Sequence, residues 1–200
     1  MKAKALVTVL VVVFAMAMML GCAKVPQADL DAAKAALDAA KAAEVDRYLP
    51  EMFNAVKDSL NSATAEIEKQ NSKFALFRSY KKVKELLAKV TADANDAVAQ
   101  VAVKKEEVKT EVEGLMAQVA PAVENVKGLM KKAPRGKEGR AALEAINSEL
   151  AAVEASVAEA NTAMTNGDFL TARDKVQANL QKLAGLAEEL QAAIDKKLGR

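Results

Sequence analysis

The sequence contains no histidine, no tryptophan and a single cysteine. Without histidine there is no Ser-His-Asp or Cys-His relay, no Glu-x-x-His di-iron set, no haem-attachment sequence and no imidazole zinc site. Glu106-Glu107 and Glu188-Glu189 are adjacent carboxylates, but neighbours along a helix point to different faces, so they read as solvated charges. No glycine-rich phosphate loop is present. These absences argue against an enzyme, and no cofactor or metal is implied. Strand signals are missing as well: no segment alternates at period two, and eight glycines and four prolines are too few for a turn-rich β fold. What is abundant is Ala, Leu, Val, Glu and Lys, the material of helices.

The single cysteine has a distinctive setting. Lys2 and Lys4 precede an uncharged apolar run from Ala5 to Leu20, the layout of an export signal and shorter than the roughly 20 residues that span a bilayer comfortably. The run closes on Met19-Leu20-Gly21-Cys22, which resembles the lipobox of a bacterial lipoprotein precursor, with Met in place of the more usual Leu. That resemblance implies cleavage between Gly21 and Cys22, acylation of Cys22 and attachment to a membrane through lipid. Ala23 and Lys24 follow with no aspartate, which by the same resemblance implies the outer membrane, periplasmic side, of a Gram-negative cell, or the cell membrane otherwise. Lipidation also accounts for an unpaired cysteine in an oxidising compartment. Lys2 and Lys4 leave with a signal that holds no acidic residue, so 29 basic and 27 acidic residues become 27 of each. Net charge therefore gives no reason to expect a nucleic-acid partner.

Beyond the signal at 1–21, the expected organisation is a lipidated tether at 22–29, an N-terminal helical lobe at 30–132, a basic Pro/Gly linker at 133–139 and an αα-hairpin at 140–200. Leu30–Ala43 repeats one heptad, Leu-Asp-Ala-Ala-Lys-Ala-Ala, and Leu30, Ala33, Leu37 and Ala40 form a narrow seam. Leu49-Pro50 ends that helix, and a second runs from about 50 to 70 with Met52, Phe53, Val56, Leu60, Ala63 and Ile67 on its stripe. Phe74, Phe77 and Tyr80 follow at helical spacing. They are read as the anchor on which the first helices pack, the competing reading being an apolar ligand site with Met52 and Phe53, edged by Lys73, Arg78, Lys81 and Lys82.

From about 73 a long helix is expected. Val83, Leu87, Val90, Ala94, Ala97 and Val101 keep a four-three rhythm, and Lys105, Val108, Val112, Leu115, Val119, Ala122, Val126 and Leu129 resume it after a four-four step that resembles a coiled-coil stutter. Pro121 should kink or interrupt this helix, and a fold back near Thr91 to Asp96 stays open. Lys131, Lys132, Arg135, Lys137 and Arg140 then make a basic segment, a candidate anion-binding loop for lipopolysaccharide phosphate or peptidoglycan carboxylate; its plainer reading is a solvated connection. In the last segment Leu143, Ile146, Leu150, Val153, Val157, Ala160 and Met164 lead to Asn166-Gly167-Asp168. Phe169, Val176, Leu180, Leu183, Ala187, Leu190 and Ile194 carry the stripe back, with Gly167 supplying a positive φ and Asp168 a cap.

The expected fold is thus all-α: elongated antiparallel helical hairpins forming a coiled-coil-like bundle after a lipoprotein signal peptide. Tyr48-Leu49-Pro50-Glu51 and Gly167-Asp168-Phe169-Leu170-Thr171-Ala172 resemble Ala-rich helical lipoproteins of the bacterial envelope, whose hairpins are similar to tetratricopeptide units. The resemblance implies no activity. The leading expectation is a non-enzymatic spacer or interaction adaptor with an envelope protein or peptidoglycan as partner. The alternative is a periplasmic carrier or chaperone with a groove lined by Met52, Phe53, Phe74 and Phe77. The seams suit a homo-oligomer as well as a single-chain bundle.

Overall fold

A computed structural model describes residues 24–199. Gly21 and Cys22, with the rest of the signal segment, lie outside the described residues. Among those residues the fold is all-α, with six α-helices and no strand. They are α1 (Gln27–Ala42), α2 (Val45–Tyr48), α3 (Pro50–Asn71), α4 (Lys81–Lys132), α5 (Lys137–Thr165) and α6 (Phe169–Leu198), with a 3₁₀ turn at Ala75–Phe77 between α3 and α4. The chain divides into two compact units, the first through Ala102 and the second from Val103. The division falls at the four-four step of the long stripe, rather than at the 133–139 linker expected from composition.

In the first unit, α1 and α3 pack together across a short connection and so run antiparallel. Leu30, Ala33, Ala36 and Ala40 are buried on α1, facing Val56, Leu60, Ala63 and Ile67 on α3, and such small side chains let two helix axes approach closely. Leu37 is only half-buried: it and Ala36 flank the line through Ala33 and Ala40, and the longer side chain reaches solvent. α1 begins before the tether was expected to end, since the Leu30 N–H already donates to the Pro26 carbonyl at 3.0 Å. It also ends earlier than Leu49. Glu44 adopts the left-handed conformation with φ 68°, its carboxylate accepts from Arg47 at 2.6 Å, and the single turn of α2 follows before Pro50 opens α3. Val83, Leu87, Val90, Ala94, Ala97 and Val101 of α4 complete this core and are all buried.

α4 is one helix from Lys81 to Lys132. It neither folds back near 91–96 nor stops at Pro121, because an exposed proline removes one backbone bond and the turns on either side hold the remainder. It starts at 81 rather than 73. Residues 72–80 are a loop in which extended Phe74 and Arg78 bracket the 3₁₀ turn, so the helical spacing of Phe74, Phe77 and Tyr80 creates no common stripe.

In the second unit α4 packs with α5 and α6. Val108, Val112, Val119, Val123 and Val126 are buried on α4, Lys127 lies 3.9 Å from Glu154 of α5, and Gln177 of α6 donates to Glu111 at 3.3 Å. The Pro/Gly segment is a tight turn inside this unit. Gly136 caps α5, which starts at Lys137 rather than 140, and a β-carbon on Gly139 would lie 2.2 Å from the Pro134 carbonyl oxygen, so only glycine permits that approach.

α5 and α6 form the expected antiparallel hairpin. The Asp168 N–H donates to Ala163 O at 2.9 Å and the Gly167 N–H to Met164 O at 3.1 Å, a Schellman closure with Gly167 at φ 78°, while the Asp168 carboxylate accepts from the Thr171 N–H at 3.4 Å. Cross-arm partners step in opposite directions along the chain. Glu159 pairs with Lys175 at 2.6 Å, Ser156 with Asn179 at 3.1 Å and Glu149 with Lys182 at 3.0 Å. The hydrogen bond from Lys175, reinforced by its charge, holds the Glu159 carboxyl below its ordinary value of 4.5. A carboxyl lowered in the folded state stabilises that state above its unfolded pKa, and the contribution is lost as pH falls through the lowered value. Lys175→Met should therefore return Glu159 toward 4.5 in an NMR titration and flatten the acid limb of stability below that pH; an unmoved Glu159 titration would show that the pair is not formed.

Candidate functional site

The loop between α3 and α4 is pinned by side-chain hydrogen bonds. Gln70, buried at the end of α3, donates to Glu66 at 2.7 Å, and its carbonyl oxygen accepts the Ser79 N–H at 3.1 Å. Arg78 folds back over the helix terminus, donating from Nε to Lys73 O in the loop at 2.9 Å and from Nη2 to Asn71 O at 2.8 Å, the latter a carbonyl at the end of the helix. The Tyr80 hydroxyl donates to Asn71 Oδ1 at 2.5 Å, and the Ser72 hydroxyl to Lys69 O at 2.9 Å.

This pinned backbone turns three large apolar side chains outward. Phe74 is 70% exposed, Leu76 55% and Phe77 75%. The two phenyl rings lie against each other, with centroids 6.4 Å apart and planes tilted by 50°. The surroundings are cationic: residues 69–84 hold Lys69, Lys73, Arg78, Lys81, Lys82 and Lys84 and no acidic residue. Glu68 and Glu85 border that run directly, and just beyond Glu68 lies Glu66. Its carboxyl is held below 4.5, first by the hydrogen bond from Gln70 and, against opposing desolvation, by the charges of Lys69, Lys82 and Lys73.

The five apolar residues singled out by sequence do not form one site. Tyr80 is buried and Phe74 and Phe77 face outward, so of these three only Tyr80 serves as the packing anchor expected of all. Met52 and Phe53 are half-buried in the first turns of α3, about 30 Å from the loop at 1.5 Å per residue along that helix. Met52 borders one hollow with Tyr48, Leu49 and Pro50 and another with Ala55, Val56, Asp93 and Asp96, neither containing Phe74 or Phe77. No groove lined by all four is formed. The signal for the loop was present in the sequence as the uninterrupted basic run around Phe74-Ala75-Leu76-Phe77.

Lys131, Lys132, Arg135, Lys137 and Arg140 are all exposed, spread over the last turn of α4, the turn and the first turn of α5, and none of them lines the hollow that Ala133, Pro134 and Gly139 form with Leu143, Ile146 and Leu190. An open cleft of about 600 Å³ lies between α1 and α4, lined by Asp29, Ala32, Lys84, Leu87, Ala88, Thr91, Ala92 and Asn95. It exists because small side chains meet there, and Asp29 is its sole carboxylate. Among the described residues no group of three or more acidic or thiol side chains could hold a metal, and no helix is long and apolar enough to cross a membrane. The chain matches no protein-family profile, no curated protein and no solved structure.

Proposed function

We propose that this chain is a lipid-anchored, non-enzymatic helical protein of the bacterial cell envelope, serving as a spacer or interaction adaptor on the periplasmic side of the outer membrane. The observation that carries the reading is the single cysteine in Met19-Leu20-Gly21-Cys22, placed directly after a short basic and apolar signal. Acylation there gives durable attachment, because each buried methylene contributes about 0.8 kcal/mol and two or more chains act together. The body is consistent with such a role. Its buried side chains are almost wholly aliphatic, with Gln70 and Asn179 the buried polar ones among the described residues, and its charges lie on helix exteriors where an envelope protein or peptidoglycan can meet them.

Growth with labelled palmitate tests the anchor. The wild-type chain is expected to take up label and sediment with membranes, and Cys22→Ala to take up none. An unlabelled wild-type chain, or equal labelling of the variant, would refute the proposal.

A further inference from the structure

We propose that the loop joining α3 to α4 is a second membrane contact, inserting Phe74, Leu76 and Phe77 into the surface of an anionic phospholipid bilayer while the surrounding lysines engage the headgroups. Three observations meet here. The first is exposure: three adjacent large apolar side chains point outward from a backbone fixed by the side chains of Gln70, Arg78 and Tyr80, so they are held out by construction. An outward apolar tip suits a lipid interface, where Phe and Leu side chains bury at the boundary of headgroups and acyl chains.

The second is charge. Five lysines lie between residues 69 and 84, beside Arg78 bonded to backbone carbonyls, and they outnumber the flanking Glu66, Glu68 and Glu85, leaving a cationic surplus that complements an anionic surface, at which each juxtamembrane Lys or Arg strengthens binding by about fivefold.

The third is position, and it rests on the anchor reading. Asp29 and Ala32, near the start of α1, line the same cleft as Lys84, Leu87 and Ala88, near the start of α4. α1 therefore begins at the end of the first unit from which the 72–80 loop projects. Cys22 precedes Lys24 by two residues, a reach of at most about 7 Å. A lipid on Cys22 brings this end of the unit to the bilayer and the tip with it.

The chain has no tryptophan, so Phe77→Trp introduces a lone reporter. The membrane-extracted protein carrying it is reconstituted into phosphatidylglycerol-containing vesicles, and the Cys22→Ser processed chain is added to the same vesicles from solution. In the reconstituted protein, Trp emission is expected to shift to the blue and to be quenched by brominated acyl chains. Glu51→Trp, at the opposite end of α3, should show neither effect. For the unacylated chain, replacing Lys73, Lys81 and Lys82 together by glutamine should weaken vesicle binding by roughly a hundredfold, about fivefold for each charge.

Quenching of the unacylated chain would uphold the tip even if the native protein carried no lipid, so the two proposals fail separately. Phe77→Trp emission that stays at its value in buffer while the protein is bound overturns the membrane contact and leaves the tip as a protein-docking surface. Equal quenching in neutral phosphatidylcholine vesicles overturns the anionic assignment.

Discussion

Leu183→Ala is expected to lower the unfolding free energy by about 2–5 kcal/mol, the range for truncating a fully enclosed leucine. Leu183 is 1% exposed in the middle of α6, one turn from Asn179 and Leu186, and the Lys182–Glu149 ion pair sets this turn level with Leu150 of α5. The loss has two parts: transfer of the removed atoms from the core, and the cavity left behind. The second is large here because α5 and α6 already meet through small residues such as Ala160 and Ala172, so the helices have little room to close on a void. Denaturant unfolding should show a lower midpoint with an unchanged slope. A loss under about 1 kcal/mol would mean that Leu183 is not enclosed as described. Leu76→Ala, on the exposed loop, should fall within about 0.5 kcal/mol of wild type in the same assay.

Pro121→Ala is expected to act in the opposite direction, raising stability by about 1–3 kcal/mol. Pro121 lies inside α4 and is exposed, so alanine there opens no cavity. Proline cannot donate a backbone bond to the Ala117 carbonyl, and its ring crowds that oxygen; alanine restores the bond and removes the crowding. Proline also restricts the unfolded chain, and losing that restriction offsets part of the gain. Thermal unfolding should show a higher midpoint for the variant. A lower one would show that the proline sets a bend on which the packing of the second unit depends.

The helical stripes were the legible part of this chain because each is long enough for its period to be unmistakable. Every one of the six positions from Val83 to Val101 is buried as expected, and Gly167-Asp168 closes the hairpin by the chemistry those residues suggest. What escaped reading were places where a short segment departs from the period. The connection at 43–49 has no glycine to mark it, since Glu44 itself takes the positive φ. The 72–80 loop was hidden because Phe74, Phe77 and Tyr80 happen to be spaced as on a helix, while the devices that unwind it are side-chain bonds from Gln70 and Arg78 to groups up to nine residues away. Burial of Gln70 and Asn179 was equally silent, because a polar side chain becomes a core residue only once its partner is in place. Ala36, Val123 and Leu186 join the core from the shoulders of their stripes, where small changes in helix rotation decide coverage.

The proposed interaction surface is the loop between α3 and α4. There Phe74, Leu76 and Phe77 leave neighbouring apolar side chains uncovered against the usual tendency of folding, whereas exposed Val103 and Leu198 stand singly. An anchor and a tip at the same end of the first unit would give its helices a defined orientation at the bilayer, where a tether alone would leave them free to swing.

The proposed working protein begins at Cys22 and carries lipid there. The intact mass of the chain extracted from membranes measures this directly: the expected species is a polypeptide starting at Cys22 whose mass exceeds that of its amino acids by a diacylglyceryl group and an amide-linked acyl chain. A chain that still carries residues 1–21, or an unmodified chain cleaved elsewhere, would contradict it.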